Sequence, residues 1–160
     1  MKRILLTTLT LIAVILAASA QSDLHIGRIF GGKYGSDLSV SETMMSGEQR
    51  FLRSNRLANF ATFKGDAKTY ASIIQPLVLA DGANAIGRNV RYKDGKLQYA
   101  FFMLKPTTGN GSKLNRYLYY LTPSKYDTDS KKTHYFVMVI YFDGQLTRQQ
   151  ADDLIKKMSY

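Results

Sequence analysis

Apolar and aromatic positions are most densely patterned between residues 87 and 143. Residues 96–104 place apolar side chains on both faces of an extended strand, and residues 114–121 and 133–142 are rich in aromatic and branched side chains and contain no Gly or Pro. Such runs are typical of central strands that are buried on both faces. We therefore predict four consecutive antiparallel strands in this stretch, with the rest of the chain covering them.

The turn between the first two of these strands is predicted at Asp94 and Gly95. A two-residue type I′ turn needs positive φ at both central positions, and Asp followed by Gly adopts these angles at low cost. We expect a β-hairpin here, with Lys93 and Lys96 on either side of the turn.

A principal helix is predicted before the hairpin, with Asp66 as its N-cap. The apolar residues that recur at helical spacing after this cap are Tyr70, Ile73, Ile74, Leu77 and Val78. Pro76 lies inside the pattern, where proline removes a backbone hydrogen bond and clashes with the preceding turn. We expect a kink there, or a break followed by a second short helix that ends at Ala83.

Helical signals also mark the two ends of the chain. Thr147 and Gln150 form the Thr-x-x-Gln pattern of a capping box, which predicts a C-terminal helix. The apolar stripe of this helix consists of Ala151, Leu154, Ile155 and Met158. Near the start of the chain, Asp23 is the expected N-cap of a short helix over residues 24–30.

Two short strand-like runs, residues 38–45 and 57–64, precede the principal helix. Between them Arg50, Arg53 and Arg56 recur every third residue, a spacing that forms either a basic ridge on a helical turn or an ordinary solvated face. Strands and helices are segregated along the chain, whereas a parallel sheet needs them to alternate. We predict an α+β fold in a single domain, with an antiparallel sheet meander packed against the principal helix and the C-terminal helix.

The first 20 residues have the pattern of a secretory signal peptide, and residues 21–160 form the predicted domain. Lys2 and Arg3 precede an apolar run over residues 4–17 and small residues at positions 18–20. We expect cleavage after Ala20. The alternative is an uncleaved membrane anchor, but the apolar run is shorter than the roughly 20 residues that a spanning helix needs.

The absence of cysteine from the sequence limits the choices further. Without cysteine there is no lipid-attachment residue, no disulfide framework, no thiolate nucleophile and no cysteine metal site. We therefore expect an exported protein, periplasmic or secreted, that is not a lipoprotein and has no stable membrane span after cleavage.

The net charge is strongly positive, with 22 Lys and Arg against 12 Asp and Glu and a formal charge of +10. The excess is concentrated in the predicted sheet, because residues 88–132 contain 10 basic and 3 acidic side chains. A positive net charge promotes solubility without any partner. The alternative interpretation is that this basic segment binds an anionic ligand.

Residue types for catalysis or metal binding are sparse. The two histidines, His25 and His134, form no His-Glu-x-x-His motif, and no Gly-x-Ser-x-Gly motif is present. Asp127 and Asp129 match the first two ligands of a calcium loop, but Lys131 stands where a third oxygen ligand is needed. We predict no catalytic residue, no metal site and no cofactor.

Five segments are the basis of a family resemblance: residues 24–26 (LHI), 77–83 (LVLADGA), 96–102 (KLQYAFF), 114–117 (LNRY) and 139–144 (VIYFDG). They resemble the corresponding segments of an uncharacterised family of small exported proteins from Bacteroides-type bacteria. The resemblance covers nearly the whole chain after residue 20. It implies export in a Gram-negative cell and supplies no active-site residue.

Tyrosine is unusually frequent in the predicted sheet, and core packing explains most of these residues. A tyrosine-rich sheet with neighbouring Arg and Lys also resembles surfaces that stack bases or sugars, although export disfavours nucleic acid. The candidate binding residues are Arg88, Arg91, Lys93, Tyr99, Arg116 and Tyr117.

Two hypotheses on function follow. The first is a non-enzymatic envelope or secreted module that binds a protein, a glycan or an anionic polymer through its basic, tyrosine-rich sheet. The second is a small secreted hydrolase-like enzyme with an unrecognised acid–base pair. A polar pocket that holds two nearby carboxylates or His134 would favour the enzyme, and a flat basic face would favour binding.

Overall fold

The computed structural model describes residues 23–158, so the predicted signal peptide and its cleavage site lie outside the described residues. The seven strands are β1 (Ser41–Ser46), β2 (Leu57–Asp66), β3 (Gly87–Lys93), β4 (Lys96–Gly109), β5 (Ser112–Leu121), β6 (Ser124–Asp127) and β7 (Lys132–Gly144). The α-helices are α1 (Arg50–Ser54), α2 (Ala67–Gly82) and α3 (Arg148–Met158), and a 3-10 helix spans His25–Ile29. None of the helices in this part of the chain is long and apolar enough to cross a membrane.

All strand pairs are antiparallel, in the order β1-β2-β7-β5-β4-β3, and β6 pairs with the first residues of β7. The four predicted strands correspond to β3, β4, β5 and β7. The short β6 was not predicted. It follows β5 after Pro123, which has no N–H to donate to a strand ladder. Together β6 and the start of β7 form a two-stranded ribbon that extends past the end of β2, whose last paired residue is Asp66.

The hairpin between β3 and β4 is confirmed at the predicted residues. Asp94 and Gly95 have φ of 51° and 72°, and Lys93 pairs with Lys96 across the turn. Both central residues therefore have the positive φ that a type I′ turn requires.

Helices cover the sheet on both faces. On the α2 face, α2 and the 3-10 helix bury residues such as Val78 against Phe102 and its neighbours. On the α3 face, α1 and α3 bury residues such as Leu154 with Tyr119 and Phe142. Because side chains alternate along a strand, consecutive residues of the central strands belong to opposite cores. The protein is an α+β single domain, as predicted.

Of the two outcomes expected at Pro76, a kink or a break, the break is wrong, because α2 is one helix from Ala67 to Gly82. Its N-cap is the predicted Asp66, whose carboxylate accepts a hydrogen bond from the Thr69 N–H at 3.0 Å. Pro76 itself is exposed, while Ile74 and Val78, two residues before and after it, are fully buried. Burial of the two flanking turns offsets the loss of one backbone hydrogen bond.

The N-terminal segment differs from its prediction. A 3-10 helix replaces the expected α-helix, and its N-cap is Leu24, with no side-chain hydrogen bond. The backbone N–H groups of His25 and Ile26 instead donate to the carboxylate of Asp81, at 2.7 and 2.9 Å. Asp23, the expected cap, is bonded to the β-sheet. Hydrogen bonds between this N-terminal segment and residues distant in sequence thus fix its position, which its own sequence pattern specifies only weakly.

The C-terminal helix and its capping box are confirmed. The Thr147 N–H donates to Oε1 of Gln150 at 2.9 Å, and the Gln150 N–H donates to Oγ1 of Thr147 at 3.3 Å. The apolar stripe of α3 faces the sheet. The three spaced arginines do not share one helix, because Arg56 follows α1 with a φ of 57°.

Candidate binding surface

Three of the candidate residues, Arg88, Arg91 and Lys93, lie exposed on the edge strand β3. Arg88 and Arg91 lie on opposite faces of the sheet, because side chains alternate along a strand. Arg88 pairs with Phe102 on the α2 face, and Arg91 pairs with Tyr99 on the α3 face. Lys93 is next to the hairpin turn. The edge strand therefore presents basic side chains to both sides of the sheet.

Arg91 and Tyr99 form a direct contact. The guanidinium carbon of Arg91 lies 4.5 Å from the centre of the Tyr99 ring, within the range of a cation–π interaction. Burial raises the pKa of Tyr99, and the charge of Asp152 acts in the same direction. The charges of Arg91 and Arg148 lower the pKa of Tyr99 and so oppose this shift. Charged residues at the start of α3 therefore act on Tyr99.

The other two candidates lie in the interior. Arg116 is 4% exposed and donates two hydrogen bonds to the carboxylate of Asp23, both at 2.8 Å. Its Nε donates to the Tyr141 hydroxyl oxygen at 3.1 Å. Tyr117 is fully buried, and its hydroxyl donates to the Leu146 carbonyl oxygen at 2.9 Å. Neither Arg116 nor Tyr117 is part of the exposed surface formed by Arg88, Arg91 and Lys93.

The Arg116 site continues into a buried carboxyl group. The Tyr141 hydroxyl donates to Oδ2 of Asp143 at 2.8 Å, and Asn59 donates to Asp143 from its backbone and its side-chain amide. Burial raises the pKa of Asp143, while the hydrogen bonds of Asn59 and Tyr141 oppose that shift. The oxygens of Asp143 are thus engaged in bonds that hold β2 to β7.

A row of residues crosses the α3 face at right angles to the strands. In register across β3, β4, β5, β7 and β2 it consists of Arg91, Tyr99, Leu121, Met138 and Lys64. We call Tyr99, Leu121 and Met138, with Arg91 and Lys64 at its two ends, the cross-strand row. Its three central side chains are only partly buried.

Each end of the cross-strand row has a cation on an aromatic ring. Arg91 stacks on Tyr99, and Nζ of Lys64 lies 4.5 Å from the centre of the Phe136 ring. A third cation, Arg148 of α3, lies 5.1 Å from the centre of the Phe101 ring on the same face. Lys64, Met138 and Arg148 were not among the predicted residues, because the pairing of distant strands and the packing of α3 on the sheet bring them near Tyr99.

The ribbon of β6 and β7 presents a separate set of polar residues. Tyr126 and Tyr135 are exposed, and Nε2 of His134 lies 3.8 Å from a carboxylate oxygen of Asp127. Hydrogen bonds lower the pKa of Asp127, the largest effect being that of the Ser130 hydroxyl. His134 thus lies on an open ribbon and not in an enclosed pocket.

An open depression of about 260 Å³ lies between α1 and α3. Its lining consists of Ser54, Asn55, Arg56, Leu146, Gln150, Asp153, Leu154 and Lys157. This lining includes one carboxylate and no histidine, so it does not have the two carboxylates or the His134 that would favour the enzyme hypothesis. Within residues 23–158, no group of three or more His, Asp and Glu side chains is placed to hold a metal ion.

Fold and surface together define an α+β protein with an antiparallel sheet between two helical layers and a basic, aromatic sheet edge. The chain belongs to a family of unknown function, DUF6108, which it matches over residues 13–157. Comparison with curated proteins gave no match, and comparison with solved structures gave none either.

Proposed function

We propose that this protein is an exported, non-enzymatic binding module that engages an anionic partner through β3 and the adjoining α3 face. The observation that carries the proposal is the contact of Arg91 with Tyr99, with Arg88 and Lys93 exposed on the same edge strand. An aromatic ring below a guanidinium group holds the cation in place while one side remains open to an anion.

The residues that an enzyme would need are engaged elsewhere. Nδ1 of His25 lies 2.8 Å from Asp81, whose carboxylate also fixes the 3-10 helix. Asp143 is bound to Asn59 and Tyr141 in the interior. These bonds give Asp81 and Asp143 structural roles, and the support for binding comes from the exposed basic edge strand.

Export is the second part of the proposal, and it is supported by the leader-like pattern of residues 1–20. We expect the exported species to begin at Gln21, which the intact mass of the protein from a periplasmic or culture fraction measures. A dominant species that retains residues 1–20 would contradict this part of the proposal and leave the binding surface unaffected.

The anionic-partner part is tested with dextran sulfate, with neutral dextran as the control polymer. We expect binding to dextran sulfate alone, and we expect it to weaken as salt is added, because the Debye length falls from about 10 Å at 0.1 M to about 3 Å at 1 M. The test variant replaces Arg88, Arg91 and Lys93 by Gln. The matched control replaces Arg50, Arg53 and Lys113, which are also exposed and have the same residue types, by Gln.

The two triple variants have the same net charge and differ only in location. We expect the β3 variant to lose most of the binding and the control variant to retain it. Equal losses would show that net charge alone attracts the polymer, and no binding at low salt would reject the anionic partner. Arg148 is left unchanged in the control because it lies over Phe101 on the same face as Arg91.

A further inference from the structure

The cross-strand row combines apolar side chains at its centre with cationic side chains at its ends. Its centre is apolar and partly exposed, whereas Arg91 and Lys64 at its two ends are cationic. Four strand-to-strand steps separate these ends, which at the usual spacing of about 4.8 Å makes the row about 19 Å long. An extended segment of about six or seven residues spans that length.

α3 covers the sheet next to the cross-strand row and stops short of it. Two residues away along each strand, on the same face, Phe101, Tyr119 and Ile140 are buried. α3 contacts this neighbouring set through Arg148 over Phe101 and through the Tyr119 hydroxyl bonded to Asp152 at 2.8 Å. The start of α3 therefore forms a wall along one side of the row. The other side is the end of the sheet from which the ribbon extends.

Methionine is concentrated on the same face. Met45, Met103, Met138 and Met158 are partly buried against the α3-face core, and Met44 packs on the opposite face. Methionine is flexible and polarizable and therefore adapts to an apolar partner, and Met, Tyr and Arg are enriched at protein interfaces. Of these methionines only Met138 belongs to the cross-strand row, where it occurs together with Tyr99 and Arg91, and this composition favours a polypeptide ligand.

We propose that the cross-strand row binds an extended protein segment whose apolar side chains are flanked by acidic residues. Apolar side chains of the segment lie on Tyr99, Leu121 and Met138, and its carboxylates pair with Arg91 and Lys64. This inference rests on the proposed function, since it names the partner of the same surface. A second copy of the chain is a poorer occupant, because a face-to-face dimer would bring these two cations close to those of its partner.

The test uses methyl NMR of protein labelled with ¹³C-methyl methionine. The probe is the peptide acetyl-Glu-Glu-Leu-Phe-Leu-Glu-Glu-amide, and two control peptides replace either its four Glu by Lys or its three apolar residues by Ser. Met138→Leu assigns the signal of interest. Met44, on the α2 face, is the internal control for non-specific effects.

We expect the acidic apolar peptide to shift the Met138 methyl signal at concentrations that leave Met44 unchanged. Its affinity should exceed that of the lysine peptide by about tenfold, because two ion pairs accessible to solvent are replaced by two repulsive pairs. The serine peptide should bind much more weakly than the acidic apolar peptide, since it lacks the side chains that would cover the centre of the row.

A charge-exchange variant distinguishes binding through Arg91 and Lys64 from a general attraction of acidic peptides to a basic protein. Replacing Arg91 and Lys64 together by Glu should reverse the preference, so that the lysine peptide binds better than the acidic one. Circular dichroism confirms the fold of this variant before the titration. Preference for the acidic peptide that survives the exchange would overturn the inference.

Three further outcomes would also overturn it. The first is equal binding of the serine and acidic apolar peptides, and the second is equal shifts of Met44 and Met138. The third is a concentration-dependent Met138 shift without peptide, which would mean that a second copy occupies the row. If dextran sulfate binds through β3 while the acidic apolar peptide leaves Met138 unshifted, the proposed function stands and this inference fails.

Discussion

Asp23 and Arg116 form a bidentate ion pair across 93 residues of sequence, with both nitrogen–oxygen distances at 2.8 Å. The arginine side chain is 5% exposed and the aspartate side chain is 60% exposed. The carboxylate of Asp23 thus neutralises the guanidinium group of Arg116 inside the sheet. This pair ties the N-terminal segment to β5 at the edge of the α2-face core.

Asp23→Asn should destabilise the protein, because it leaves the buried charge of Arg116 without its counter-ion. Breaking a fully buried pair costs about 3–5 kcal/mol, and we expect about 1–2 kcal/mol here, since water reaches the exposed side of Asp23 and screens the loss. Urea unfolding measures the difference. The control is Glu48→Gln, which removes the same charge from a side chain that is 92% exposed. Equal stability of the two variants would contradict the prediction.

The same ion pair predicts how stability depends on pH. Hydrogen bonds from Arg116 hold the pKa of Asp23 below its ordinary value of 3.8. A carboxyl group with a lower pKa in the folded state stabilises the fold above its unfolded pKa, and that contribution is lost as the pH falls through the folded pKa. The free-energy difference between wild type and Asp23→Asn should therefore be full at about pH 6 and shrink below about pH 4.

Urea unfolding of both proteins across this pH range provides the measurement. Asp143 has a raised pKa, so its own contribution changes in the opposite direction and is lost as the pH rises. Asp143 is linked to Arg116 through Tyr141, so the pH series is repeated with Asp143→Asn in both proteins to remove its contribution. A difference that stays constant from about pH 6 to about pH 3 would show that Asp23 does not titrate with Arg116.

Gly82 ends α2 where the helix meets β4, and a side chain there would overlap the ring of Phe102. Gly82→Ala gains up to about 1 kcal/mol in helix propensity, but overpacking of a buried site costs about 1–3 kcal/mol. We expect net destabilisation in urea unfolding. In a double-mutant cycle with Phe102→Leu, the cost of Gly82→Ala should shrink, because the ring that it meets is gone. If the effects of the two substitutions simply add, the cost of Gly82→Ala does not come from overlap with the ring of Phe102.

The sequence allowed prediction of the elements that depend on neighbouring residues. The Asp94-Gly95 turn, the Asp66 cap and the Thr147–Gln150 capping box each involve groups within a few positions of one another, and all three are confirmed. A break at Pro76 was one of the two expected outcomes, because the local effect of proline inside a helix is unfavourable. Burial of α2 against a sheet formed later in the chain outweighs that effect.

Contacts between distant segments explain what the sequence did not reveal about the candidate site. Arg116 was a reasonable surface candidate by charge, but its partner Asp23 lies on another segment and removes it to the interior. Likewise, Lys64 and Met138 join Tyr99 only because β2 pairs with β7 and β7 pairs with β5. Alternation within one strand predicts which face each residue occupies, but it does not reveal which distant strands pair and in which register.

Gly95 provides a test of the hairpin that involves no side-chain packing. Its φ is 72°, and a Cβ added there would meet nothing within 4 Å, so any effect of substitution comes from the backbone. Gly95→Val should destabilise the protein by more than about 1 kcal/mol, because a branched side chain is disfavoured at positive φ. Gly95→Asn is the matched control and should cost less, since Asn tolerates this region. Equal losses in urea unfolding for the two variants would mean that the positive φ at position 95 does not determine the stability of the turn.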